Sequence, residues 1–238
     1  MSKVFAILID GGFLSARFRA LPRRRKDAAV AREISPDDVR NFITRLCAWP
    51  DFKDARLLRT YYYDAYPSEK TLRLPISGDP DDLSKRPTAV RGRKFLGEIQ
   101  AMDNVAFREG TLMERGWVLR KEAVDRLIRQ SSAGVAPPPL GDGDFIPNLQ
   151  QKGVDMRIGL DIARLSMGRM VDSIIVVTAD SDFVPALKFA RREGVRVYLN
   201  HLGNPVRRDE GILVHSDVVM GRDLKSDEWL RWFSPLQG

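Results

Sequence analysis

Four aspartates stand where a parallel sheet would put reactive groups. Val4 to Ile9 is an unbroken apolar run rich in β-branched residues, and Asp10 follows it directly, ahead of Gly11 and Gly12. Residues 173–178 form a second such run, with Asp180 and Asp182 just beyond it. Short continuous apolar runs of this kind read as strands covered on both faces. Ligands of open parallel sheets lie beyond the carboxyl ends of the strands, so topology alone brings both acid groups to one edge. Asp155 opens a stretch with helical periodicity through Ile158, Ile162 and Leu165. Crowded carboxylates repel one another unless a cation lies between them. Hard divalent cations such as Mg²⁺ take oxygen ligands, which several carboxylates supply. Each acid also has a plain structural alternative. Asp10 and Asp180 fit turns, Asp182 fits the N-cap of a following helix, and Asp155 suits the positive end of a helix dipole. Singly these readings weigh as much as the metal reading; the joint arrangement favours the metal.

The elements that would hold these acids can be read in outline. Ser35-Pro36-Asp37-Asp38 combines a capping serine, a first-turn proline and acids at the dipole's positive end, which starts a helix running to about residue 47. Its inward face carries Val39, Phe42, Ile43 and Leu46, and Pro50 stops it. A second strand covers 55–63. A helix over 95–102, a strand over 105–115 and a short strand over 117–119 follow. From residue 153 the pattern is clearer: a helix over 154–167, a strand over 173–178, a helix over 182–192 closed by Gly194, and a strand over 195–199. This alternation is the signature of a parallel sheet. Proline-, glycine- and charge-rich stretches at about 64–92 and 131–150 read as insertions into a single domain over 1–222, with a tail over 223–238 packed on it through Trp229, Trp232 and Phe233. Both insertions exceed ordinary connection lengths.

The chain has 238 residues, 43% of them apolar, with a net charge of +7 and a pI near 9.7. The size suits one sizeable core, and the basic surplus favours an anionic partner, nucleic acid above all. Cys47 is the sole cysteine, which excludes an intrachain disulfide and zinc sites built on several thiolates. No stretch approaches the apolar length of a membrane span. The expectation is a cytoplasmic protein with no membrane partner.

The motifs together resemble a known family. Lys152-Gly153-Val154-Asp155, then Asp161, the run Val176-Val177-Thr178-Ala179-Asp180-Ser181-Asp182-Phe183-Val184-Pro185, and Gly194-Val195 with Val197 are similar to the NYN family of PIN-like nucleases. The LabA-like, or DUF88, branch is the nearest pattern. Ile9-Asp10-Gly11-Gly12 matches the family's first strand and acid, and Leu213 with Asp217 its last helix pattern. The likeness covers the first strand and residues 150–220. It implies a three-layer α/β/α fold with a central, mainly parallel sheet, and a pocket that binds Mg²⁺ or Mn²⁺ and cleaves RNA. Carried over by position, Asp10, Asp155, Asp180 and Asp182 are the metal-binding and catalytic acids. Two positions depart from the pattern: Phe13 stands where the family often has asparagine, and Ala179 where it often has glycine.

Other residues are candidates for support. Asp161 lies six positions beyond Asp155, about a third of a turn around the helix, and fits the family pattern and a structural role equally. The Thr178 hydroxyl could hold a water or phosphate, though a strand threonine is the simpler reading. Arg23, Arg24, Arg25 and Lys26 form the densest basic run and are the first candidates for RNA phosphates; the bases between Lys70 and Lys94 are the second. Tyr61, Tyr62 and Tyr63 could stack on bases, with at least one in the core. His201 and His215 are the only histidines, which disfavours a two-histidine ribonuclease mechanism. The expected activity is metal-dependent hydrolysis of single-stranded RNA; a homodimer stays open. The alternatives are a non-catalytic RNA- or protein-binding module, kept alive by Phe13, and a metal-dependent DNA nuclease.

Overall fold

In the computed structural model the described residues are 2–21, 33–204, 211–225 and 228–236. Arg23, Arg24, Arg25 and Lys26 lie outside them. The elements run β1 (Val4–Asp10), α1 (Gly11–Ala20), α2 (Pro36–Cys47), β2 (Arg56–Asp64), β3 (Thr71–Arg73), β4 (Pro80–Asp82), α3 (Pro87–Gln100), β5 (Val105–Glu109), β6 (Thr111–Leu119), α4 (Lys121–Ser132), β7 (Phe145–Lys152), α5 (Val154–Met167), β8 (Ser173–Val177), α6 (Val184–Arg192), β9 (Arg196–Asn200), α7 (Gly211–Val214) and β10 (Val218–Val219). Short 3₁₀ segments occupy Pro50–Phe52, Leu83–Lys85, Asp142–Asp144, Ser181–Phe183 and Glu228–Phe233.

The chain divides into two compact units. The first comprises Met1–Asp64, Phe95–Gly110 and Gly153–Gly238. It is built on a six-stranded sheet of order β10-β9-β8-β1-β2-β5, in which every neighbouring pair is parallel. Strands so covered must be apolar throughout. Phe5 to Ile9 and all of β8 are buried accordingly. On one face Ala6, Leu8, Tyr61, Tyr63, Ile174 and Val176 meet Val154, Ile158, Ile162 and Leu165 of α5 and Leu187 and Ala190 of α6. On the other, Phe5 stacks on Phe52 at 4.3 Å, and Phe52 meets Tyr198. There Phe233 from the C-terminal turn stacks on Phe42 of α2 at 5.2 Å and meets Phe18 of α1 edge-on at 4.9 Å. Helices on both faces of a parallel sheet make this an α/β/α sandwich.

Tyr61, Tyr62 and Tyr63 are all buried, so none is a base-stacking platform. The sheet is covered on both faces, and alternation along β2 therefore sends each tyrosine into a core. Helix α2 has the expected bounds and a reciprocal cap between Ser35 and Asp38. Helix α1 was not expected: Gly11 and Gly12 looked like a turn and instead begin a helix capped by Asp10.

The second unit comprises Ala65–Lys94 and Thr111–Lys152. The stretches expected as loops carry the antiparallel pairs β3–β4 and β6–β7. The strand expected over 105–115 is two strands, β5 and the start of β6, in different sheets. Several loop bases are engaged locally. Lys70 pairs with Glu114 at 2.6 Å, Lys85 with Asp82 at 3.1 Å and Arg86 with Asp81 at 2.5 Å. Arg73 donates to the Gly78 carbonyl and Arg93 to that of Ser84. Among the described residues no helix is long and apolar enough to cross a membrane.

Trp229 is fully buried against Trp232, Gly203 and Gly221. Trp229→Ala is expected to lower the unfolding free energy by about 3 kcal/mol, read from urea unfolding; an unchanged midpoint would show that the C-terminal turn does not hold this face.

Candidate active site

Strand β1 lies between β2 and β8, so the chain leaves it on one side and returns on the other. This is the topological switch point of the sheet, where α/β folds open a crevice beyond the strand ends. Register fixes what reaches that edge. Asp10 is level with Tyr63, which places Asp64 one residue beyond, while Ile9 is level with Val177, so Thr178 is level with Asp10. Helix α5 precedes β8 and runs against it, so its first turn, with Asp155, comes to the same edge. Gly153 makes that entry possible: it caps α5 at a φ of +79°, a conformation costly for any residue with a Cβ.

Asp10 is half-buried and caps α1, accepting from the Phe13 backbone N–H at 2.9 Å. Its carboxyl is pushed up to about 6. Burial is the main cause, the Phe13 N–H opposes it, and the charges of Asp155, Asp64 and Asp180 add to it. Asp155 is exposed and also raised, by burial first and then by Asp180 and Asp182. Asp180 and Asp182 are exposed. The cap of the 3₁₀ turn before α6 is Asp180, which accepts from the Asp182 N–H at 2.9 Å, so the capping role open to Asp182 falls to its neighbour. This leaves the Asp182 side chain outside that cap. Thr178 is fully buried and its Oγ1 accepts from the Asp180 N–H at 3.2 Å, fixing the turn that carries the acids. Ala179 does not have a positive φ, so replacing the family's frequent glycine strains nothing. Phe13 contributes its backbone N–H to Asp10.

Asp161 points elsewhere. Its Oδ2 accepts from Arg108 Nε and from the Tyr63 hydroxyl, both at 2.9 Å, and Arg108 lies over the Tyr61 ring at 5.0 Å. Burial disfavours the Arg108 charge, but Asp161's hydrogen bond and charge outweigh it and hold that pKa above its ordinary value. Six residues carry Asp161 about 9 Å down the helix axis from Asp155, where it ties α5 to β2 and β5.

Asp64 was missed. It ends β2, and its charge reaches Asp10. A methyl group on Gly11 would lie 2.8 Å from Asp64 Oδ2 and 2.5 Å from Tyr62 Cε1. The first glycine of Asp-Gly-Gly is thus the gap that lets Asp64 come in beside Asp10. The signal was the acid closing Tyr-Tyr-Tyr-Asp, one position past the assumed strand end. His201 follows β9 half-buried, with its pKa lowered chiefly by burial.

An all-oxygen donor set of this kind suits a hard divalent cation. The acids are within electrostatic reach of one another, but among the described residues no three His, Cys, Asp or Glu side chains converge closely enough to share an ion. Like charges on exposed side chains spread apart when nothing neutralises them.

Residues 142–207 match the family model described as the NYN domain. That segment is NYN-like. The matched segment contains Asp155, Asp161, Thr178, Asp180 and Asp182, and the NYN domain is of PIN-like nuclease kind. A search of curated proteins finds no match. Among solved structures, a protein of unknown function from Vibrio parahaemolyticus RIMD 2210633 is similar, at 14% identity, over 94% of this chain and 96% of that one, with a TM-score of 0.45.

Two outcomes are expected from this geometry. The folded Asp10 carboxyl holds its proton more tightly than the unfolded one, so the stability it contributes falls as pH rises from about 4 through about 6. Asp10→Asn keeps the cap and removes that loss. In EDTA it is expected to be more stable than the parent above about pH 7, by an amount on the order of 2 kcal/mol, and equal to it near pH 4. Thermal melts across pH check this, and a gap that does not change with pH would refute it. Asp161→Ala leaves Arg108 and Tyr63 without their acceptor and is expected to cost about 2 kcal/mol in denaturant unfolding; a neutral result would remove its structural role.

Proposed function

We propose that this chain is a metal-dependent ribonuclease of the LabA-like NYN kind, acting on single-stranded RNA. The observation that carries the reading is Asp10: a carboxyl at the switch point of a parallel sheet, raised to about 6 by burial and by three neighbouring carboxylates. A sheet edge that gathers mutually repelling acids is costly unless a cation uses it. Asp10 and Asp180, with Asp155 or Asp182, would hold Mg²⁺ or Mn²⁺, and Asp64 lies beside Asp10. When bound, the ion would supply positive charge against the phosphate and an acidified water. Asp182 or Asp155, whichever stays clear of the ion, takes the proton of the attacking water. The water oxygen attacks phosphorus, and the bond to the leaving sugar oxygen breaks. Thr178 and the Phe13 N–H keep Asp180 and Asp10 in place during this step.

One observation favours a second reading, a non-catalytic module for RNA or protein: Phe13 stands where the family often has asparagine. A DNA nuclease would use the same acids.

The test is cleavage of end-labelled single-stranded RNA and DNA by purified protein in Mn²⁺, Mg²⁺ or EDTA, beside Asp180→Asn. Asparagine keeps the cap on the Asp182 N–H, so the variant folds. The expected result is metal-dependent cutting of RNA that falls by at least about a hundredfold in the variant, together with a rise in melting temperature on adding Mn²⁺ that the variant lacks. RNA binding without cutting in any metal would replace the nuclease with the binding module, and preferential cutting of DNA would replace the substrate.

A further inference from the structure

Beyond the acid edge, the described residues carry a strongly charged concavity. It is an open groove of about 740 Å³ on the first unit, lined by Lys188, Arg191 and Arg192 of α6, Arg196 at the start of β9, and His215 and Asp217 ahead of β10. Four cations and a single acid line it; three of the cations are on α6, and Arg196 stands at the rim with its guanidinium over the Tyr198 ring at 5.3 Å. That acid is already engaged: Asp217 accepts from Arg191 Nε through Oδ1 and from the Val197 N–H through Oδ2, both at 2.8 Å. Among the described residues Lys188 and Arg192 have no carboxylate within ion-pair distance. Burial, and after it the charges of Lys188 and Arg191, hold His215 below its ordinary range, as expected where positive charge is left unbalanced.

We propose that this groove binds the phosphate backbone of single-stranded RNA outside the acid edge. The inference extends the ribonuclease reading above. A basic helix end is often no more than a solvated complement to the helix dipole. Lys188 lies a turn earlier than that explanation needs, and Arg196 lies on a strand. The cations also face a concave surface, where the field of one sign is concentrated. The groove is too long and open for one phosphate. Lys188 and Arg192 are about 6 Å apart along the helix axis, and Arg196 adds a charge on the next element. This row suits a ligand with repeating anionic groups. Three of the four cations are arginine, whose planar fork grips phosphate in two places at once.

The location sets the role. Helix α6 starts at the acid edge and runs away from it, and the groove lies at the opposite, N-terminal edge of the parallel sheet. The five residues of β9 separate the two edges by about 16 Å. A short oligonucleotide can lie at one edge only, whereas a longer strand can occupy both. The groove therefore makes affinity depend on RNA length.

The test is fluorescence anisotropy of a short and a long labelled single-stranded RNA over a salt titration in EDTA, so that nothing is cut. The variant combines Lys188→Ala, Arg192→Ala and Arg196→Ala. All three residues are exposed, and an unchanged melting temperature confirms the fold. Three lost phosphate contacts on a single strand should make the slope of log affinity against log salt shallower by about 2 for the long RNA, with a smaller change for a short RNA that meets fewer of the cations. An unchanged slope on the long RNA overturns the proposal. So does a parent protein that binds polyglutamate and no RNA, which would assign the groove to an acidic protein. Because the assay holds no divalent cation, it stands apart from the cleavage test: protein that never cuts yet shows the slope change loses the nuclease reading and keeps the groove.

Discussion

Everything at the candidate site depends on β1 having no face open to water. Five consecutive side chains from Phe5 to Ile9 are buried between two helical layers, so the first position that can bear a polar group is the strand's end. There Asp10 carries a charge that burial already disfavours, and three further carboxylates are brought near it by neighbouring elements. The fold concentrates electrostatic cost at one point of an otherwise apolar sheet. Stability and chemistry are opposed there: the arrangement that weakens the folded state near neutral pH is the one that makes a cation welcome.

The parts of this site that the amino-acid pattern reveals are those set by strand ends. Asp10 and Asp180 follow β-branched runs, and a parallel sheet can put the residues after such runs in only one place. Helix α2 announces itself by its cap, and α2, α5 and α6 by one-sided apolar spacing. Asp64 is harder, because its neighbours are tyrosines. Three in a row suggest partial exposure, yet all three are buried in a sheet covered from both sides, and the strand continues one residue past them. Asp161 and Asp182 show the limit of spacing arguments. An acid at a helix start or on a helix face has a direction that only its partners settle: Arg108 and Tyr63 turn Asp161 aside, and Asp180 takes the cap open to Asp182.

The second unit was the least legible. Its strands β3, β4, β6 and β7 are short or half-exposed and rich in charge, proline and glycine. Such two-stranded ribbons lack the alternation of a strand with one buried face. Ion pairs such as Lys70–Glu114 and Arg86–Asp81 link residues distant in the chain or across a turn, and sequence periodicity carries no trace of them.

The strand order has a consequence for how the molecule comes into being. One neighbour of β1 is β2, but the other is β8, whose Ser173 pairs with Phe5 across 168 positions. The aromatic cover over α1 and α2 comes later still, from Trp229, Trp232 and Phe233. During synthesis this buried strand waits with one edge unpaired while most of the chain is made. Contacts this distant are slow to form, because loop closure must precede any gain from pairing, and an unpaired apolar strand edge is a template for association with other chains. The central position that makes β1 a rigid support for Asp10 also makes it the segment most in need of protection on the ribosome.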